Sequence, residues 1–161
     1  MIHTFFAVLA LVAGLAIFIA AKGTTLHRIF GYIYVVSMLI LNVTALMIYR
    51  LFDGFGPFHA FAIASLITLV AGFVPVYTKM PKKIWLDLHY EFILWSYVGL
   101  VAAGASELLT RAPAIHDSGV AFGVAVFVAS ALIIGIGAFF IRRRRQVVMS
   151  YVLEMLKARS R

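Results

Sequence analysis

Long apolar runs separated by short polar connections dominate the chain. Phe5–Ala21, Ile29–Tyr49, Phe58–Tyr77, Ile84–Leu109 and Val120–Ile141 are five such runs. A helix needs about 20 residues to cross a bilayer, and each run meets or approaches that length. Period-two alternation is missing, which argues against a transmembrane β-barrel. In lipid every backbone polar group must be satisfied within the segment, so the pattern predicts five membrane-spanning α-helices. The expected architecture is an all-α, polytopic membrane helix bundle. It comprises one transmembrane domain over residues 1–145 and a basic amphipathic tail over 146–161 that forms a short helix of its own. The first run is longer than a signal-peptide core, and Met1–Thr4 lacks a basic n-region, so it reads as a true span.

The connections carry local stop and start signals. Lys22-Gly23-Thr24-Thr25 offers a glycine stop and a threonine N-cap before the second span. Asp53-Gly54-Phe55-Gly56-Pro57 is a tight turn with proline placed to begin the third. Pro75 falls in the last turn of span three, and Pro81 suits the start of span four. Gly119, Gly123, Ser130 and Gly137 form a small-residue stripe on span five, suited to close helix approach. In the tail, Val148, Tyr151, Val152 and Met155 share one face, as in a helix lying among anionic headgroups at the membrane surface.

Composition and charge sharpen this picture. Hydrophobic residues make up 64% and charged residues 12% of the chain, against roughly 45–50% and 25% in soluble domains. The absence of cysteine excludes disulfides, thiolate metal sites and iron–sulfur ligation. A net charge of +8 invites a nucleic-acid reading, but the basic residues sit in connections and the tail rather than on a soluble face. Lys22, Arg28, Lys79, Lys82, Lys83 and Arg142–Arg145 all fall on one side. The other side has Arg50 and Arg111, with Asp53 and Asp117. By the positive-inside rule the N-terminus is expected outside and the C-terminus in the cytoplasm, in a bacterial inner membrane.

Candidate chemistry resides in the few polar residues of the spans, because ionisable groups in lipid are functional by default. His89, Ser96, Ala103 and Glu107 share one face of span four. Span two carries His27, Gly31, Tyr34, Met38 and Ala45 on a comparable stripe, with Asn42 and Thr44 beside it. Successive spans run antiparallel, so His27 and His89 are expected to pair at the inner side. His59 is expected near Glu107, with His116, at the outer side. Bland readings accompany each: His27 among headgroups, His59 bonding loop carbonyls, Glu107 pairing with Arg111, Asp87 and Glu91 pairing with Lys82, Lys83 or Arg28, and His3 and His116 solvated.

These residues carry a resemblance. Leu26-His27-Arg28-Ile29-Phe30-Gly31-Tyr32 through Met38, Gly54-Phe55-Gly56-Pro57-Phe58-His59, and His89-Tyr90 with Trp95-Ser96-Tyr97-Val98-Gly99-Leu100 resemble a family of bacterial predicted membrane proteins. That family is a domain of unknown function, and the likeness covers roughly residues 20–110. It implies membrane location and no particular activity. The overall shape is similar to small b-type membrane cytochromes, an analogy of fold alone. Dihaem members of that group usually carry two histidines on one helix, and no span here does.

Three readings of function follow. The first is haem b binding and electron transfer, with His27 and His89 as ligands and Tyr34, Met38 and Ser96 shaping the pocket. The second is a proton or metal-ion relay through His59/Glu107 and His27/His89, although no mid-membrane carboxylate or broken helix marks a transporter site. The third is an accessory subunit that uses its polar groups to associate with other membrane subunits. No nucleophile–base set points to hydrolysis.

Overall fold

A computed structural model describes residues 1–49, 54–112, 115 and 118–159. Five helices account for most of them: α1 (Ile2–Ile19), α2 (Thr25–Leu46), α3 (Pro57–Thr78), α4 (Trp85–Thr110) and α5 (Gly119–Arg159). All five are long and apolar enough to cross a membrane. Local chemistry sets their ends. Gly23 takes a positive φ of 74°, and the Thr24 side chain then caps α2 by accepting from the His27 amide. Pro57 opens α3, where its missing N–H costs nothing. At the other end of α3, Lys79 adopts the left-handed conformation and its N–H returns to the Pro75 carbonyl.

Helices α1 to α4 pack in sequence, and α1 also meets α4, closing a four-helix ring. Helix α5 packs outside this ring, along α4. The core holds Ala10, Ala13, Tyr34, Met38, Leu41, Leu69 and Leu100. Val8, Val12, Leu15, Val36, Ile67, Val70 and Phe127 point outward instead. An apolar exterior around a core containing tyrosine, serine and asparagine is what lipid solvation favours. Close approach accounts for part of the small-residue stripe: a Cβ on Gly137 would sit 2.5 Å from Val98, while Gly119 and Gly123 face open space.

Two expectations change. The tail does not begin a separate short helix: α5 runs unbroken from Gly119 to Arg159, about 61 Å at 1.5 Å per residue. No glycine or proline interrupts residues 138–159, and Arg142–Arg145 are good helix formers. Asp87 and Glu91 pair not with Lys82, Lys83 or Arg28 but with Arg145, at 2.8 Å and 3.3 Å. Because α5 lies along α4, its arginine run passes the start of α4.

Candidate functional site

Between α2 and α4 the bundle is open. No Cα of one helix lies within 8 Å of a Cα of the other, and their principal bridge is a hydrogen bond between Tyr34 and Ser96 at 2.8 Å. The Ser96 hydroxyl donates to the Ile93 carbonyl, so Tyr34 is the donor to Ser96. Both side chains are 1% exposed. A cavity lies toward each end of the bundle.

The cavity at the basic end has a volume of about 740 Å³. His27, Tyr34 and His89 line it, together with Lys22, Arg28, Lys79, Arg144 and Trp85. No carboxylate appears among its described lining residues. His89 Nδ1 lies 3.0 Å from the Gly72 carbonyl of α3. A carbonyl can only accept, so Nδ1 carries the proton and the neutral ring keeps its Nε2 lone pair. His27 Nδ1 is buried and finds no hydrogen-bond partner among the described residues. Lys22 Nζ donates to the Ile17 and Phe18 carbonyls at 2.7 and 3.2 Å, satisfying the exposed end of α1. Burial holds the Lys22 ammonium below the ordinary lysine range. Lys79 is lowered by burial as well, and its ammonium stands 4.1 Å over the Trp85 ring. Val148, Met149, Val152 and Met155 extend the cavity wall along α5, so this face of the tail turns toward the bundle.

The cavity at the opposite end measures about 560 Å³ and includes His3, Met38, Asn42, His59, Ser65, Trp95 and Glu107 in its lining. His59 occupies the third residue of α3 and forms a reciprocal cap with Gly56. The His59 amide donates to the Gly56 carbonyl at 3.0 Å, and the Gly56 amide donates to His59 Nδ1 at 3.1 Å. The ring stacks against Phe55, 5.0 Å between centroids, and packs beside Tyr49 at 4.8 Å. Asn42 Nδ2 donates to Ser65 Oγ at 3.1 Å, joining α2 to α3. His3 is not left in solvent, because its Nδ1 meets Thr44 Oγ1 at 3.1 Å.

The residues singled out from sequence therefore divide. His27, His89 and Tyr34 share the basic-end cavity. Met38 does not join them: it lies two-thirds of the way along α2 and lines the other cavity with His59 and Glu107. Ser96 lines neither cavity, its hydroxyl being used between Ile93 and Tyr34. Glu107 pairs with Arg111 one turn on, and both are substantially exposed. His116, Arg50, Asp53 and Asp117 lie outside the described residues. No group of three or more His, Asp or Glu side chains is arranged to hold a metal ion among the described residues. Sequence reasoning missed Lys22, Lys79 and Arg144 as cavity residues, and missed the Gly72 carbonyl altogether. A backbone acceptor contributed by another helix leaves no trace in residue types.

Fold and exterior define an integral membrane protein with five candidate spans, its polar side chains gathered inside the bundle. The chain belongs to the predicted membrane protein family DUF2306, a domain family of unknown function, whose model matches residues 1–141. The match takes in α1 and most of the membrane part of α5, further than the motifs around residues 20–110 reach. Neither curated proteins nor solved structures yield a match.

Proposed function

We propose that this protein is a b-type haem-binding electron-transfer protein of the bacterial inner membrane, with its basic end in the cytoplasm. The observation that carries the reading is the His89–Gly72 hydrogen bond. Metal-bound histidines commonly donate their second ring N–H to a carbonyl or carboxylate, which fixes the tautomer and frees the other nitrogen as a ligand. His89 has that arrangement, and a second imidazole, His27, lines the same cavity with its Nδ1 buried and without a partner among the described residues.

The cavity's chemistry fits the group. Two histidines, His27 and His89, line the cavity and would be the residues to hold the group. Its two carboxylates call for cations, and Lys22, Arg28, Lys79 and Arg144 line the cavity without a competing carboxylate. About 740 Å³ falls within the usual range for ligand cavities. The two histidines come from α2 and α4, helices that do not pack directly on one another. In this reading His27 and His89 would hold the iron. The basic residues orient the carboxylates, while Tyr34, Trp85 and the apolar wall exclude water. The bound group supplies one-electron redox chemistry.

The test is optical. Protein purified from cells supplied with haem should show a Soret band and a reduced-minus-oxidised b-type spectrum. Both should be lost in His27→Ala and in His89→Ala. A folded, colourless preparation under these conditions overturns the reading.

A further inference from the structure

His59 is 2% exposed, and its Nε2 is buried without a hydrogen-bond partner among the described residues. The Gly56 amide can only donate, so His59 Nδ1 accepts, and in the neutral ring Nε2 must carry the proton. A buried N–H left without an acceptor is costly, which makes such a group a mark of a binding partner. We propose that the opposite-end cavity binds a lipid-soluble, carbonyl-bearing ring compound of the quinone class, held by a hydrogen bond from His59 Nε2 to the carbonyl oxygen.

The rest of the cavity suits such a ligand. Its volume of about 560 Å³ accommodates a substituted ring. Phe58, Phe61 and Trp95 contribute aromatic surface to a lining that is otherwise mainly aliphatic. The polar groups complement one another. Thr44 Oγ1 gives its proton to the Ile40 or Leu41 carbonyl, so it accepts from His3 Nδ1. Neutral His3 then keeps a lone pair at Nε2, and the cavity offers a donor and an acceptor. Metal ligation by His59 is disfavoured by the same reasoning, because the Gly56 amide occupies one nitrogen and the proton the other. Glu107 also lines the cavity, but its charge is met by Arg111. A neutral carbonyl compound fits this balance better than an ion.

The inference does not rest on haem binding, and the two fail separately. Trp85 lines the basic-end cavity and Trp95 the opposite one, and these are the 2 tryptophans of the chain. In a Trp85→Phe background, decylubiquinone should quench Trp95 fluorescence saturably in detergent micelles. His59→Asn keeps an oxygen near the Nδ1 position to accept from Gly56 and removes the Nε2 donor. It should raise the half-saturating concentration about tenfold, the loss of one hydrogen bond. His27→Ala should leave that concentration unchanged. Quenching that is linear with quinone, or saturable with the same midpoint in His59→Asn, overturns the proposal. Should His59→Asn fail to fold, ¹⁵N-histidine spectra of the unsubstituted protein decide: decylubiquinone should shift the His59 Nε2–H resonance, and no shift overturns the proposal.

Discussion

At the basic end of the bundle a backbone carbonyl takes the Nδ1 proton of His89. At the opposite end a backbone amide fills the Nδ1 lone pair of His59. The two residues are alike in type, and each stands near the start of its helix. What each has left to offer differs, a lone pair at His89 Nε2 and a proton at His59 Nε2. The surroundings follow the same division. The His89 cavity gathers four cations and a second histidine, whereas the His59 cavity is mainly apolar, with scattered hydrogen-bonding groups and one carboxylate, Glu107, that pairs with Arg111. In a membrane protein the character of a histidine is thus set by the backbone group that meets its first nitrogen. One suits a metal-centred group and the other a carbonyl.

Substitutions can break this contrast at graded strengths. Gly72→Ala should have the largest effect. Its Cβ would lie 2.8 Å from both the Ile93 backbone nitrogen and Cγ1, forcing α3 off α4 and displacing the carbonyl that orients His89. A loss of about 2–3 kcal/mol in detergent unfolding is expected, and any haem spectrum should weaken with it. His59→Leu comes next, because it removes the cap on the Gly56 amide while keeping an apolar side chain. It should cost about 1–2 kcal/mol, whereas His59→Asn should recover most of that. Tyr34→Phe deletes the bridge between the two cavities but leaves Ser96 bonded to Ile93. About 1 kcal/mol is expected, equally visible whichever cavity is filled. Glu107→Gln should change stability by under about 0.5 kcal/mol, since the Arg111 pair is exposed. A much larger loss there would place Glu107 in the machinery of its cavity.

Much of the frame was legible in residue order alone. Five apolar runs, the Thr24 cap and the turn before Pro57 are local features, and short connections oblige neighbouring helices to run antiparallel. That reasoning brought His27 to His89 and His59 to Glu107. It also allowed the Glu107–Arg111 pair, which needs only i, i+4 spacing. What escaped depends on groups distant in sequence. The proton positions of His89 and His59 are set by single backbone atoms, one of them on another helix. Arg145 reaches Asp87 because α5 packs along α4 outside the ring, a topology that apolar runs do not encode. Met38 shares a stripe with His27, but 11 residues of helix carry it about 16 Å along the axis, into the other cavity's wall. The continuation of α5 past Arg145 went unread because a charge run marks a membrane boundary without ending a helix.

The contrast between the two histidines is tested most directly by their tautomers. Long-range ¹H–¹⁵N spectra of ¹⁵N-histidine-labelled protein, purified without added haem or quinone, distinguish the protonated from the unprotonated ring nitrogen, with His59→Asn and His89→Asn supplying the assignments. The expected result is a proton on Nδ1 of His89 and on Nε2 of His59. A proton on Nε2 of His89, or on Nδ1 of His59, would contradict the account.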